Sequence, residues 1–273
     1  MFLVSGFMTE SIGFETLVRL VPFAVILVLM VVWEAIFPKR KIPSRKLRWP
    51  GNLGVFVLDV VMLLWLPVSA VGAALVSIEF KFGLFFWFEF PFWPKVFFSL
   101  VMLDLLIYWQ HRLFHVIKPL WNLHRMHHTD IGFDVTTALR FHPLEIFLSV
   151  LIKAVFIMLL GAPVFAVIAF EIILNGAAMF NHGNIRMPKR LDSIVRIFIV
   201  TPDMHRVHHS TIAEEHNANF GFALSIWDRI FGSYVSQPSM GHQSMTIGLD
   251  IFNKPDEVRF DRLLSQPFRR PTK

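Results

Sequence analysis

Long apolar runs separated by short polar stretches dominate the first two thirds of the chain. Leu20–Phe37, Leu53–Ile78 and Val96–Trp109 are three such runs, and Ile146–Phe180 is a fourth that is long enough for two helices. A helix needs about 20 predominantly apolar residues to cross the hydrocarbon core of a bilayer. The pattern therefore predicts an almost entirely helical protein that crosses the membrane several times.

The longest run, Ile146–Phe180, leaves two interpretations open. Gly161, Ala162 and Pro163 form a turn signal near its middle. The run therefore makes either two full passes or a re-entrant hairpin that dips into the bilayer. In both cases the chain leaves the membrane on the side where it entered, so we expect the segments on either side of the run to share one membrane face.

The charged residues beside the first run predict the orientation. Lys39–Arg48 is the densest basic stretch in the chain, and such stretches next to spans are typically cytoplasmic and contact lipid headgroups. This places the N-terminus outside, and the start of the chain shows no cleavable signal. The aromatic stretch Phe80–Pro94 is expected at a membrane interface. The mixed polar sequence after Pro188 is expected to pack on the cytoplasmic ends of the spans.

Composition supports a membrane protein and excludes several kinds of site. Hydrophobic residues make up 55% of the 273 positions, including 30 Phe and 8 Trp, and the mean hydropathy is +0.56. The chain has no cysteine, which excludes disulfides, Fe–S clusters and thiol nucleophiles. The net charge of +6 is small and lacks a basic face with interleaved aromatic residues, so nucleic acid is not expected as a partner.

Histidines are concentrated in three short motifs, although the chain has only 12 of them. HRLFH spaces two histidines four residues apart, and HRMHH and HRVHH repeat one H-x-x-H-H pattern. These motifs contain His111, His115, His124, His127, His128, His205, His208 and His209. Residues three and four apart share one helix face, so each motif is expected to aim its rings at a common point.

Such a set of rings predicts a metal site with nitrogen ligands. Imidazole suits Fe, Zn, Cu and Ni, and eight or more ligands exceed the four to six that one ion accepts, which favours two ions. His182 in the NHGN motif is expected as a further ligand because it emerges where the fourth run leaves the bilayer. The side chains expected to support the ligands are Asp104, His142, Glu145, Asn181, Asn184, Asp203 and His216.

The expected architecture is all-α, with polytopic membrane helices and a cytoplasmic-side helical cap that carries a histidine-rich dimetal site. Residues 1–52 are expected to form an N-terminal membrane helix and basic loop. Residues 53–235 are expected to form the catalytic membrane domain, and residues 236–273 a C-terminal cytoplasmic tail.

These motifs, in this order, resemble the fatty acid hydroxylase/sterol desaturase superfamily of membrane di-iron oxygenases. The family pattern of H-x3-H, H-x2-H-H, a membrane segment and a second H-x2-H-H is matched between about residues 50 and 235. DLLIYWQHRLFH, RFHPLE, NHGN and TPDMHRVHHS are supporting matches. One departure is that no second spaced histidine follows His182, which leaves the site either one ligand short or completed by water, Asn184 or His142.

The resemblance implies a di-iron centre, bound by the eight histidines of the motifs and by His182, that uses O2 to hydroxylate or desaturate a lipid of sterol or fatty acyl type. It also implies that electrons come from NAD(P)H through a reductase and a separate ferredoxin, rubredoxin or cytochrome b5 type carrier. We favour a bacterial inner membrane over the endoplasmic reticulum, with the site on the cytoplasmic side.

Three alternatives remain open from the sequence. A bis-histidine haem electron carrier needs isolated histidines within the bilayer, whereas these are clustered beyond the ends of the spans. A zinc-dependent membrane hydrolase of the zincin type needs an HExxH motif, which is absent. A metal transporter usually holds its ligands near the midplane of the membrane at broken helices.

Overall fold

Five helical segments have the length and apolar composition of membrane spans in the described part of the chain. The computed structural model describes residues 2–42 and 45–271, with side chains from residue 17 onward within those ranges. The five segments are Leu17–Ile36, Arg45–Trp87, Phe92–Val116, Pro143–Leu160 and Val164–Asn181. The first residue, residues 43–44 of the predicted basic stretch and residues 272–273 of the predicted tail lie outside the described part.

Regular structure is entirely helical within the described ranges, which confirms the all-α prediction. The first eight α-helices are α1 (Phe2–Ile36), α2 (Arg45–Trp65), α3 (Ala70–Glu79), α4 (Leu84–Trp87), α5 (Phe92–Val116), α6 (Lys118–His128), α7 (Pro143–Leu160) and α8 (Val164–Asn181). The shorter helices that follow are α9 (Lys189–Val195), α10 (Pro202–His208), α11 (Ala213–His216), α12 (Ile226–Ile230), α13 (Gly241–Ser244) and α14 (Phe260–Ser265). Three short 3-10 helices cover Val135–Leu139, Pro255–Val258 and Gln266–Phe268.

The second apolar run forms two helices rather than the single one predicted over Leu53–Ile78. The run breaks between α2 and α3, around Pro67, a residue that cannot donate the backbone hydrogen bond that a continuous helix requires. Ser69 then starts α3, because its Oγ accepts a hydrogen bond of 2.9 Å from the backbone N–H of Gly72.

The fourth apolar run forms two helices, α7 and α8, of 18 residues each. Each rises about 27 Å, close to the thickness of the hydrocarbon core. Gly161 ends α7 with a φ of 70°, a left-handed conformation that glycine adopts without strain. The lengths favour two passes over the re-entrant hairpin.

The helix packing brings one end of several spans together. α5 packs against α6, α7 and α8, while α1 packs against α8 and α3 against α7. A first apolar core joins α3, α5, α7 and α8 through residues such as Leu103, Ile157 and Phe170. A second joins α1 to the end of α8 through Met30 and Met179. The C-terminus of α5 and the N-terminus of α7 are linked through α6, so they lie at the same end of the bundle as the end of α8.

Candidate metal centre

Nine buried histidines form two adjacent groups at this end of the bundle. The first group contains His111, His115, His124, His128 and His208, and the second contains His127, His182, His205 and His209. Within each group, one ring nitrogen from every residue lies within 4.8 Å of the others. These are the eight histidines of the sequence motifs together with His182, so the structure brings together all nine residues that were predicted as ligands.

Each H-x-x-H-H motif divides its rings between the two groups, whereas the sequence analysis expected each motif to serve one common point. In α6, His124 and His128 belong to the first group and His127 to the second. In the second motif, His205 and His209 belong to the second group and His208 to the first. Consecutive residues on a helix project about 100° apart, so neighbouring rings reach neighbouring points.

Local structure explains how these short helices present their rings. His111 and His115 lie in the last two turns of α5, and α6 starts after a break of one residue. Thr201 caps the N-terminus of α10, because its Oγ1 accepts a hydrogen bond of 3.3 Å from the backbone N–H of Met204. Pro202 occupies the first turn, where its missing N–H costs nothing. His182 directly follows α8 as its C-cap residue, and its backbone N–H donates to the carbonyl of Ala178 at 3.2 Å.

In the first group, ring nitrogens approach each other closely. The Nε2 atoms of His115 and His128 are 3.1 Å apart, and those of His208 and His111 are 3.0 Å apart. His124 Nε2 is buried and has no hydrogen-bond partner among the described residues. An unpaired buried polar atom is energetically costly, so these ring nitrogens require a partner that several of them can contact at once.

In the second group, the Nε2 atom of His182 is the centre of three contacts. It lies 3.0 Å from Nε2 of His127, 3.1 Å from that of His205 and 3.2 Å from that of His209. One imidazole nitrogen carries either one proton or one lone pair, so hydrogen bonding satisfies at most one of these contacts.

A metal ion in each group would account for these distances. Two nitrogens at right angles around an ion, each about 2.1 Å from it, lie about 3.0 Å apart, whereas tetrahedral ligands lie about 3.4 Å apart. The observed separations of 3.0 to 3.2 Å are in the range expected for two imidazole nitrogens that bind one ion. The donor set therefore fits a pair of metal ions that accept imidazole.

Hydrogen bonds on the opposite nitrogen orient several of the rings. Nδ1 of four histidines contacts a backbone carbonyl oxygen, which can only accept, so Nδ1 carries the proton and Nε2 keeps its lone pair. These pairs are His111 with Phe220 (2.9 Å), His208 with Ala218 (2.7 Å), His182 with Ala178 (2.8 Å) and His127 with Arg140 (3.2 Å).

The rings outside the spans are held neutral. Burial lowers the pKa of His124 and of His182 to about 3. The pKa of five further rings is lowered well below its usual value, mainly by burial and to a smaller extent by the positive charge that neighbouring rings would carry. These rings are His127, His128, His205, His208 and His209. Neutral imidazole is the form that binds a metal, so the rings at this end of the bundle are in the protonation state that metal binding requires.

Of the three predicted supporting carboxylates, one contacts a histidine ring. Glu145 Oε1 accepts a hydrogen bond of 2.7 Å from Nδ1 of His124, and both side chains are buried. Asp104 instead accepts hydrogen bonds from the backbone of residues 223 and 224 and from Trp227 Nε1. It therefore acts on the site indirectly, by fixing the loop whose Phe220 carbonyl orients His111.

Asp203, the third predicted carboxylate, accepts hydrogen bonds from Lys39 and Arg206, at 2.5 Å each, rather than from a ring. Asn184 is also outside both groups, because its side chain donates to the carbonyl of Arg40 and accepts from the backbone N–H of the same residue. Asn181 donates to the carbonyl of Phe222 at 3.0 Å. The interpretation that Asn184 completes the ligand set is therefore not supported by its contacts.

The two remaining predicted histidines have different surroundings. His142 caps α7 through Nδ1, and its Nε2 contacts the carbonyl of Leu264 at 3.1 Å, so it does not complete either group. His216 stacks on Trp121, with ring centroids 5.9 Å apart, and lies at the edge of the first group beside His115. Its placement supports a role in packing around the ligands.

A buried ion-pair network beside the first H-x-x-H-H motif was missed from the sequence. Arg48 was expected to face lipid headgroups, but its guanidinium is fully buried and contacts Asp130 at 2.5 Å and Asp134 at 2.8 Å. Burial alone would raise the pKa of the Asp130 carboxyl, but the charges of Arg48 and Arg140 outweigh it and hold this pKa below its usual range. The signal was Asp130, an aspartate two residues after the end of the motif.

This network reaches the ligands through Arg140. Its guanidinium donates to the carbonyl of Met126 and to Thr129 Oγ1, at 2.9 Å each, while its own carbonyl contacts His127 Nδ1. The basic stretch therefore stabilises the end of α6 from within the protein, rather than contacting the membrane surface at Arg48.

A cavity of about 360 Å³ opens onto the first group. His111, His124 and Glu145 line one end of it, and its walls are largely apolar side chains from α1, α2, α5, α7 and α8, such as Phe56 and Leu174. An apolar cavity between spans, with polar groups concentrated at defined points, is the usual form of a binding site for an apolar molecule.

Comparison with known proteins agrees with this site. The chain is 32% identical over 149 residues to ornithine lipid hydroxylase OlsE of Rhizobium tropici, a match that covers 54% of this chain and 44% of that protein. It is 26% identical over 163 residues to alkylglycerol monooxygenase of Homo sapiens, covering 58% and 34%. The corresponding enzyme of Danio rerio is 28% identical over 169 residues, covering 59% and 36%. The matches thus span between a third and a half of the length of these relatives. No solved structure matches the chain.

A family model described as fatty acid hydroxylase matches residues 96–233. This range is about half of the chain and contains all nine histidines of the two groups. The chain therefore belongs to the fatty acid hydroxylase family.

Proposed function

We propose that this chain is a membrane-bound lipid hydroxylase that uses O2 and two iron ions held by the nine histidines. The observation that carries the proposal is the pair of all-histidine groups, with five and four buried rings, at the end of an apolar cavity. The names of the relatives, a lipid hydroxylase and an alkylglycerol monooxygenase, support hydroxylation over desaturation and do not favour a sterol.

The chain's own residues have defined tasks in this proposal. When bound, the two irons would supply the activation of O2 and the oxidation of an unactivated C–H bond. Glu145 holds the proton on Nδ1 of His124 and thereby directs the lone pair of Nε2 into the first group. The carbonyl of Phe220 does the same for His111. The apolar cavity walls exclude water and position an alkyl chain beside these two rings.

The ring geometry favours a pair of ions over haem or zinc. Axial ligands on opposite faces of one haem iron lie about 4 Å apart, twice the metal–nitrogen length, whereas Nε2 atoms here are 3.0 to 3.2 Å apart. Structural zinc sites use four protein ligands and catalytic zinc sites use three, fewer than the five rings of the first group. Iron accepts five or six imidazole and oxygen ligands without difficulty.

Electrons for the reaction are proposed to come from a separate protein. The chain has no cysteine for an Fe–S cluster and no glycine-rich dinucleotide-binding motif. A ferredoxin, rubredoxin or cytochrome b5 type carrier with an NAD(P)H-dependent reductase would supply them. The basic residues around Lys39–Arg48 support a cytoplasmic position for the site.

Comparative lipid mass spectrometry tests the proposal. Cells that produce the wild-type chain should contain a lipid class that has gained one oxygen atom, and cells that produce His208→Ala should lack it. His242→Ala is the matched control, because His242 belongs to neither group. The purified wild type should carry two irons per chain by elemental analysis. Identical lipids in all three strains, or a haem absorption band on the purified protein, would overturn the proposal.

A further inference from the structure

The end of the cavity that lies farthest from the histidines is lined by three ionic side chains from three different spans. They are Arg19 of α1, Lys153 of α7 and Glu171 of α8. Lys153 lies about 15 Å along α7 from Pro143, which marks the histidine end of that helix. Lys153 and Glu171 therefore lie well inside their spans, where charged side chains are costly and usually mark a substrate path or bind one another, whereas Arg19 lies near the start of the first span.

The charges of these three groups do not cancel. Arg19 Nε and Glu171 Oε2 are 3.1 Å apart and form an ion pair. Lys153 is close enough to interact with both charges, but no carboxylate of the described residues lies within ion-pair distance of its ammonium. Two cations against one carboxylate leave one positive charge beside Lys153. Asp59 also lines the cavity, but it interacts with Glu145 rather than with Lys153.

Extension of a lysine side chain to the membrane interface is the common alternative for a lysine within a span. The neighbouring residues show that Lys153 faces the opposite way. Ile152 and Val155 are exposed on the lipid-facing side of α7, with 37% and 57% of their surface accessible. Lys153 is half-buried and forms part of the cavity wall with Arg19 and Glu171.

We propose that Lys153, assisted by Arg19, binds an anionic group of the lipid substrate, a carboxylate or a phosphate. The inference rests on the proposed function and specifies its substrate class. The apolar walls between the two ends, including Phe56 and Leu174, accommodate the chain of the lipid. Its alkyl portion then reaches His111 and His124 at the other end.

The same geometry sets the position of oxidation. Glu145, which contacts His124, lies eight residues before Lys153 on α7, a rise of about 12 Å. A lipid anchored at Lys153 therefore presents a carbon about 12 Å from its anionic group to the histidine site. Lys153 is a specificity-determining residue in this arrangement and takes no part in the oxidation.

Equilibrium binding of labelled C16 lipids to the full chain in a neutral detergent, without O2, tests this inference. The probes are hexadecanoate, hexadecyl phosphate and the uncharged hexadecanol. The wild type should bind at least one of the two anions more tightly than hexadecanol, and the tighter one identifies the anionic group. Lys153→Met should weaken anion binding by about tenfold or more, because a hydrogen bond to a charged group is lost, and should leave hexadecanol binding unchanged.

Three further variants complete the test. Lys153→Arg should restore the preference for anions, and Lys118→Met, which removes an exposed lysine of α6, should leave it unchanged. If Lys153→Met does not fold, as judged by size-exclusion chromatography, Glu171→Gln decides: it releases Arg19 and should strengthen anion binding. Equal binding of anions and hexadecanol by the wild type, or an unchanged preference in Lys153→Met or Glu171→Gln, would overturn the inference. Because no turnover is needed, this result is independent of whether the chain hydroxylates a lipid.

Discussion

The hydrogen bond between Glu145 and His124 allows a quantitative test of whether a neighbouring carboxylate raises the metal affinity of the first group. Glu145 Oε1 accepts the Nδ1 proton of His124 at 2.7 Å, and both side chains are buried. His124 differs from the other eight histidines in the partner of its Nδ1 atom. In the others Nδ1 contacts a backbone carbonyl or has no hydrogen-bond partner among the described residues, whereas in His124 it contacts a carboxylate. Glu145→Leu removes this acceptor and leaves the rest of the first group in place.

The expected loss follows from the strength of that bond. A hydrogen bond that involves a charged group contributes about 1.5–3 kcal/mol. Since about 1.4 kcal/mol corresponds to a factor of ten in affinity, the first group should bind iron about 10- to 100-fold more weakly in Glu145→Leu. This agrees with the loss of about 10- to 100-fold that follows removal of such supporting groups at other metal sites. Glu145→Gln keeps a neutral acceptor and should lose less.

Chelator competition measures this loss directly. Purified protein loaded with Fe(II) is titrated with a chelator of known affinity, and the iron retained per chain is determined at each step. The four-histidine group should keep its iron at chelator concentrations that empty the five-histidine group of Glu145→Leu. Glu214→Leu, which removes an exposed glutamate, is the control. Two irons held by Glu145→Leu with wild-type affinity would refute the idea that Glu145 prepares His124 for metal.

Three further substitutions test the surrounding structure through the free energy of unfolding in detergent. Arg48→Met removes the ion-pair partner of both Asp130 and Asp134, leaving only Arg140 at 3.7 Å from Asp130, and should cost about 3–5 kcal/mol, whereas a loss below about 1 kcal/mol would contradict the role of the network. Asp104→Leu leaves two backbone N–H groups and one indole N–H without acceptors and should cost at least about 2 kcal/mol. Gly161→Ala places a side chain on a residue with φ of 70° and should cost about 1 kcal/mol, while wild-type stability would show that the turn relaxes.

The apolar pattern was sufficient to predict the class of fold, because a helix is the usual way to satisfy backbone hydrogen bonds in lipid. Every long apolar run of the sequence corresponds to helix in the structure. The boundaries were less accurate. The run over Leu53–Ile78 divides around Pro67. α2 begins eight residues earlier than the run, at Arg45, and Arg48 of its first turn is neutralised inside the protein by Asp130 rather than by solvent.

Eight of the candidate ligands were predicted from spacing, because the histidine motifs place rings on defined helix faces, and His182 was predicted from its position at the end of the fourth apolar run. The division of these rings into two groups could not be predicted from spacing. It depends on how α6 and α10 face each other across His182, and that packing is a long-range contact that no local pattern encodes. For the same reason the supporting residues were only partly predicted: Glu145 contacts a ring, whereas Asp104 and Asp203 bind other partners.

The sequence by itself determined that this chain is helical with several spans long enough to cross a membrane, and it predicted nine histidines as metal ligands. Only the tertiary structure decided which ring serves which group, how Arg48 is neutralised by Asp130, and that Lys153 shares a cavity with His111. The physical reason is that helix formation and ring direction depend on neighbours within a few residues. The distances between rings, charges and cavity walls are set instead by contacts between helices far apart in the chain.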